Sequence, residues 1–201
     1  TTQLPVPVLE RLHRHYTQDN ANVHRGIHTL SERTTAAFEQ AREIVRSYLN
    51  AGSAEEIIFT QGTTDGINMA AAGLWNLMEP GDSIIVTALE HHSNFLPWQR
   101  LCAARGAAFV VVPCPDGEPD LEFFLEALKR RPKLVAVTQV SNLTGTVFPV
   151  REMTALAHGA GALVLVDGAQ GIRHEAVDVQ ALDCDFYCFS GHKVCAPSGI
   201  G

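Results

Sequence analysis

The sequence predicts an α/β protein, a three-layer α/β/α sandwich around a mainly parallel sheet. Short apolar runs alternate with helix-length amphipathic stretches from about residue 56 onward, the order that builds parallel sheets through crossover helices. Most of those runs, such as 83–87, 134–140 and 162–166, are apolar at successive positions and do not alternate, as expected of strands covered on both faces. Polar groups gather just after the runs, and open α/β sheets place their ligands at the carboxyl ends of strands.

With 201 residues, 46% of them hydrophobic, and a formal net charge of −7, the chain can bury a substantial core. The negative charge argues against nucleic acid as a partner. No run approaches the roughly 20 apolar residues of a membrane span, and the first residues lack the basic-then-apolar order of a secretory signal. A cytoplasmic protein is the expectation. Five scattered cysteines (Cys102, Cys114, Cys184, Cys188, Cys195) suit neither a disulfide framework nor a metal knuckle. Cys184 and Cys188 would face one side of a strand, where burial as small apolar side chains is the plainer reading. The chain opens at Thr1 without a methionine and stops at Gly201, so the expectation is a piece of a longer polypeptide. No repeat, linker or low-complexity tract divides it, and it reads as one domain.

In order, Val8, Leu9, Leu12 and Tyr16 recur at helical spacing and predict a first helix up to Asp19-Asn20. The polar run 22–31 predicts a loop before a helix capped near Ser31; Phe38, Ala41, Ile44, Val45 and Leu49 line one face of that helix, which ends at 50–52. A strand is predicted at 56–60, then a glycine turn and a helix through Leu74, Trp75 and Met78. Strands follow at 83–87, 109–113, 134–140, 162–166 and 185–189, with helices through 95–101, 121–128 and 153–158 between them.

The chemistry collects after these strands. Lys193 follows the last one and Asp167 ends its predecessor. A lysine amine that forms a Schiff base with an aldehyde, beside a carboxylate that pairs with a pyridine nitrogen, suits pyridoxal phosphate. Gln61-Gly62-Thr63-Thr64-Asp65-Gly66 joins a predicted strand to a helix start, whose unpaired N–H groups and dipole favour a phosphate. A turn of this kind also serves simply as a helix cap. His91, after the 83–87 strand, is a proton carrier or a satisfied polar group. His24 and His28 are four apart, but Gly26 lies between them and no carboxylate accompanies them. They read as loop residues, and no metal is expected.

Six motifs, in order, resemble the SufS/CsdA-like cysteine desulfurases of the class V aminotransferase family, fold type I of the pyridoxal phosphate enzymes. They are Val23-His24-Arg25-Gly26-Ile27-His28-Thr29-Leu30-Ser31, Gly62-Thr63-Thr64-Asp65-Gly66-Ile67-Asn68, Glu90-His91-His92-Ser93-Asn94, Val140-Ser141-Asn142, Val166-Asp167-Gly168-Ala169-Gln170 and Ser190-Gly191-His192-Lys193. The resemblance implies that residues 1–201 are most of the large cofactor-binding domain, with a C-terminal small domain outside them. It implies Lys193 as the lysine that carries pyridoxal 5'-phosphate and as the catalytic base. Asp167 becomes the partner of the ring nitrogen, and His91 stacks on the ring and moves protons. Asn142 and Gln170 lie near the phenolic oxygen, while Thr63, Thr64, Ser190 and His192 hold the phosphate. The implied reaction converts L-cysteine to L-alanine and leaves a persulfide on an enzyme cysteine, within a homodimer that hands sulfur to an acceptor protein for iron–sulfur cluster assembly. None of the five cysteines matches the family's persulfide cysteine, which lies further along, as does its carboxylate-binding arginine. Selenocysteine lyases and true aminotransferases of class V share the lysine and aspartate and are the alternatives. A non-catalytic cofactor-binding module is a third.

Overall fold

Alternation inside each strand decides the architecture. Ile84, Val86, Leu134, Ala136 and Leu165 pack in one buried cluster, whereas Ile85, Val135, Val137, Val164 and Val166 pack in another. Successive strand side chains point to opposite faces, so a sheet apolar on both faces needs a helical layer on each. The computed structural model, which describes residues 3–201, supplies both layers. Its strands are β1 (Ser83–Thr87), β2 (Ala108–Val112), β3 (Leu134–Thr138), β4 (Leu163–Asp167) and β5 (Phe186–Cys188). They form one sheet in the order β2-β1-β3-β4-β5, with every pairing parallel. The predicted α/β/α sandwich is therefore what the chain builds.

The helices are α1 (Val6–Arg14), α2 (Thr29–Leu49), α3 (Thr63–Leu74), α4 (Leu96–Arg105), α5 (Leu121–Leu128), α6 (Val150–Gly159) and the short α7 (Val179–Leu182). Ile67, Ala71 and Leu74 of α3 and Trp98, Leu101 and Cys102 of α4 cover the face bearing Ile84 and Val86. Phe124, Ala127 and Leu128 of α5 and Met153 and Ala157 of α6 cover the other. Among these, each fully buried Leu, Ile, Phe or Met side chain contributes about 1.5–3 kcal/mol. Between β1 and β3 the connections reverse direction, one to β2 and the next back across β1. Ligands of open α/β sheets bind outside the carboxyl ends at such a switch point.

Several expectations are corrected. The segment 57–60 is extended but no strand. Its ladder is a single exchange, Thr60 N–H to Gly201 O at 2.8 Å and Gly201 N–H to Thr60 O at 2.9 Å. An apolar cleft of about 480 Å³, lined by Leu49, Ile57, Phe59, Tyr187 and Phe189 among others, separates it from β5. Helix α2 begins at Thr29 and is capped by His28, whose Nδ1 accepts from Ser31 N–H at 3.3 Å. Ser31 sits in the first turn and donates its hydroxyl to Asn22 O at 2.7 Å. Ala41 and Ile44 of α2 are exposed, so the apolar face read from spacing reaches the core only through Leu49 and, in part, Phe38 and Val45. Cys184 precedes β5 and packs toward the α5 and α6 side, while Cys188 packs toward α3 and α4. Among the described residues no cluster of three or more His, Cys, Asp or Glu is set to hold a metal, and no helix is long and apolar enough to cross a membrane.

Candidate active site

Four strand ends and one helix start converge on one cavity. Helix α3 begins after Gly62, whose φ of 137° favours glycine. Thr63 N–H donates to Ser190 Oγ at 2.8 Å, and the Thr63 and Ser190 hydroxyls are 2.7 Å apart. This buried pair fastens the α3 N-terminus to the chain just beyond β5. Lys193 stands in the single helical turn Gly191–Val194 that follows, its own N–H bonded to Ser190 O at 3.1 Å.

Beyond β1 the chain turns through His92–Asn94. His91 is exposed at the rim, and its Nδ1 accepts from Ser93 N–H at 3.1 Å. In the neutral ring that bond leaves the proton on Nε2. Beyond β3, Thr138 donates its hydroxyl to Val140 O at 3.0 Å, and Asn142 lies in the turn that follows. Thr138 is in register with Asp167 at the end of β4.

Asp167 is only 3% exposed and accepts from Ala169 N–H at 2.9 Å. The next residue must be small, because the Tyr187 ring occupies the space a side chain on Gly168 would need. Tyr187 is anchored in turn by its hydroxyl, which donates to Gln139 Oε1 at 2.6 Å. Packing between β4 and β5 thus shapes the loop that carries Asp167 and Gln170.

Burial pushes the Asp167 carboxyl above its ordinary range, while the Ala169 amide and the charges of Lys193 and His91 pull it back. Burial also lowers the Lys193 amine, against the attraction of Asp167. A second acid, Glu90, is pushed up to about 8 by loss of water around its carboxylate, despite hydrogen bonds that favour the charge. Asp167 and Lys193, both displaced and both lining one concavity, mark a candidate functional site, and Glu90 lies behind its wall next to His91.

The cavity holds about 210 Å³, and Thr63, Thr64, His91, Asn142, Asp167, Gln170, Ser190, His192 and Lys193 all line it. Every site residue singled out from sequence is thus brought together. Sequence reasoning missed Ser93 and Thr138, which also line it. Ser93 stood two residues from His91 in a quoted motif, and Thr138 is visible only once the strands are in register. The larger cleft beside β5 lacks the lysine and carboxylate pair.

Comparison with known proteins bears on the family and the fold. The aminotransferase class-V family matches residues 1–201. A cysteine desulfurase of Synechococcus elongatus is 52% identical across the whole chain, which covers 32% of that protein. One from Dickeya dadantii is 51% identical, again across the whole chain and 49% of that protein. The apo structure of a cysteine desulfurase from Thermococcus onnurineus superposes with a TM-score of 0.95 at 40% identity, over 100% of this chain and 50% of that one. The Escherichia coli cysteine desulfurase CsdA gives 0.90 at 41% identity, over 100% and 51%. The chain thus spans from a third to half the length of these relatives, and it belongs to the aminotransferase class-V family.

Proposed function

We propose that this chain is the cofactor-binding part of a pyridoxal phosphate-dependent cysteine desulfurase, comprising most of its large domain. The observation that carries the reading is the shared cavity, where Lys193 and Asp167 stand at neighbouring strand ends beside the N-terminus of α3. The residues present fit pyridoxal phosphate. An amine held toward its neutral form, a buried carboxylate and a hydroxyl-rich helix start match its aldehyde, ring nitrogen and phosphate.

When bound, the cofactor supplies an electron sink for the substrate amino acid. Asp167 would keep the ring nitrogen protonated, its charge sustained by the Ala169 amide and the nearby cations. Thr63, Thr64, Ser190 and His192 would hold the phosphate, and Asn142 and Gln170 would flank the phenolic oxygen. Lys193 would hold the cofactor through Nζ, and while that amine is free it would take or return a proton, a task eased by its lowered pKa. His91 presents Nε2–H at the rim for a second proton movement.

In the whole reaction L-cysteine and an enzyme thiol give L-alanine and an enzyme persulfide, so one sulfur atom changes hands and the atoms balance. Burial pushes the thiols of Cys102 and Cys184 to about 11 and Cys188 to about 12. None of the five cysteines lines the cavity. The reading therefore assigns the acceptor thiol to another part of a cytoplasmic, homodimeric complete protein that passes sulfur to a further protein.

The test is borohydride reduction of the complete protein supplied with pyridoxal phosphate, followed by peptide mapping, together with assay of alanine formed from L-cysteine. A phosphopyridoxyl mass on Lys193 and its loss in Lys193→Ala are expected. An adduct elsewhere, or alanine formation that survives the substitution, would overturn the reading.

A further inference from the structure

A single acid links the His91 turn to the strand beside Asp167. Glu90 lies between the end of β1 and His91, and its carboxylate is spent on three donors. Oε1 accepts from the Thr87 hydroxyl at 2.7 Å and from the Thr138 backbone N–H at 2.9 Å. Oε2 accepts from Asn94 Nδ2 at 2.6 Å. Asn94 and Trp98 are fully buried, and Asn94 Oδ1 accepts the indole N–H of Trp98 at 2.9 Å. Asn94 N–H closes the turn on His91 O at 2.8 Å.

One side chain therefore grips both ends of the turn that presents His91 and ties it to β3. The β3 residue it grips, Thr138, is the register partner of Asp167, and Gln139 N–H donates to Asp167 O at 3.0 Å. An acid withdrawn from water and without a basic partner is costly to keep. Surface solubility or helix propensity does not explain it, since among the described residues it makes no exposed ion pair and stands outside every helix.

We propose that Glu90 is a positioning residue of the cofactor site, its carboxylate fixing the distance between the His91 ring and the strand end that carries Asp167. This rests on the cofactor reading above. Glu90 touches neither substrate nor cofactor; it acts through His91. Glutamine keeps the shape but opposes an amide donor to Asn94 or to Thr138, so the turn would lose one of its two anchors.

The experiment compares Glu90→Gln, His91→Ala and the double variant in the complete protein loaded with pyridoxal phosphate. Readouts are the visible circular dichroism of the bound cofactor, kcat and KM for L-cysteine, and far-ultraviolet dichroism for the fold. Glu90→Gln is expected to keep the fold and the reducible adduct at Lys193, to lose much of the visible dichroism, and to lower kcat by roughly tenfold with KM little changed. The double variant is expected to be no worse than His91→Ala, since two residues acting as a unit are not additive. Additive losses, or wild-type dichroism and kinetics in Glu90→Gln, would overturn the proposal. Should Glu90→Gln fail to fold, Thr87→Val removes one donor at nearly constant volume. It is expected to shift the dichroism in the same direction and to be silent in the His91→Ala background; a shift that persists there would overturn it equally. Absence of any lysine adduct in the unsubstituted protein would instead remove the cofactor reading.

Discussion

The two ends of the sheet treat charge in opposite ways. At the amino ends, charges stand in pairs near the surface: Lys133 with Asp82 at 3.8 Å, and His158 between Asp183 at 3.4 Å and Asp185 at 3.0 Å. At the carboxyl ends Glu90, Asp167 and Lys193 are drawn away from water, and none belongs to an ion pair among the described residues. Paired exposed charges cost little and contribute little. Titratable groups withdrawn from water weaken the fold, and here they gather at the end of the sheet where the cofactor site is proposed.

The sharpest way to break that contrast is Asp167→Asn. The amide can still accept the Ala169 N–H, so the loop is expected to keep its shape while the charge is lost. Affinity of the complete protein for pyridoxal phosphate is expected to fall by about 100-fold, the scale of removing one partner from a buried charge pair. The cofactor-free protein is expected to respond in the opposite sense. The folded carboxyl lies above its ordinary 3.8, so stability is full below that value and falls as pH rises through the folded one. Asp167→Asn should therefore flatten the acid side of the stability curve and gain on the order of 1 kcal/mol at neutral pH. Cofactor titration and thermal melts measure both. Unchanged affinity would deny that this end of the sheet is specialised.

A smaller effect is expected from Gly168→Ala. The added methyl would run into the Tyr187 ring, and overpacking of this kind costs roughly 1–3 kcal/mol. Because the displaced loop carries Asp167, cofactor binding should weaken along with the melting temperature, whereas a substitution at the amino ends should move only the latter. Loss of stability with full cofactor affinity would show that the loop's position is not set by β5.

This contrast bears on what could be read from sequence. The strands were legible because Ile84 to Val86 and Leu134 to Val137 are apolar without a break, and the cavity was legible because its residues follow those strands. Long-range partners were not. Nothing local in Glu90 announces that Thr138, 48 residues on, will donate to it, and nothing in Tyr187 announces Gln139. The run 56–60 reads as a strand by composition, and among the described residues its backbone exchanges hydrogen bonds with Gly201, the last residue of the sequence. Ile44 matched a buried helical face by spacing, but spacing says which residues share a face and not what lies against it.

The smallest expected effect belongs to the amino end. His158 is raised above its ordinary 6.5 chiefly by its hydrogen bond to Asp185, with Asp183 adding to the attraction. A raised folded value means that the cluster's stabilisation is fully present below about 6.5 and is lost as pH rises through the folded pKa. The ring is about a third exposed, so solvent screening holds the contribution to about 0.5 kcal/mol. His158→Gln in the complete protein should therefore lower the melting temperature slightly at pH 6 and leave it nearly unchanged at pH 9. The visible spectrum and dichroism of bound cofactor should be the same at both. Equal destabilisation at the two pH values would mean that the imidazole acts by packing and not by charge. A changed cofactor spectrum would mean that the two ends are coupled through β4 and β5, for Asp185 also accepts the N–H of Val164 in β4 at 2.7 Å, and β4 ends in Asp167.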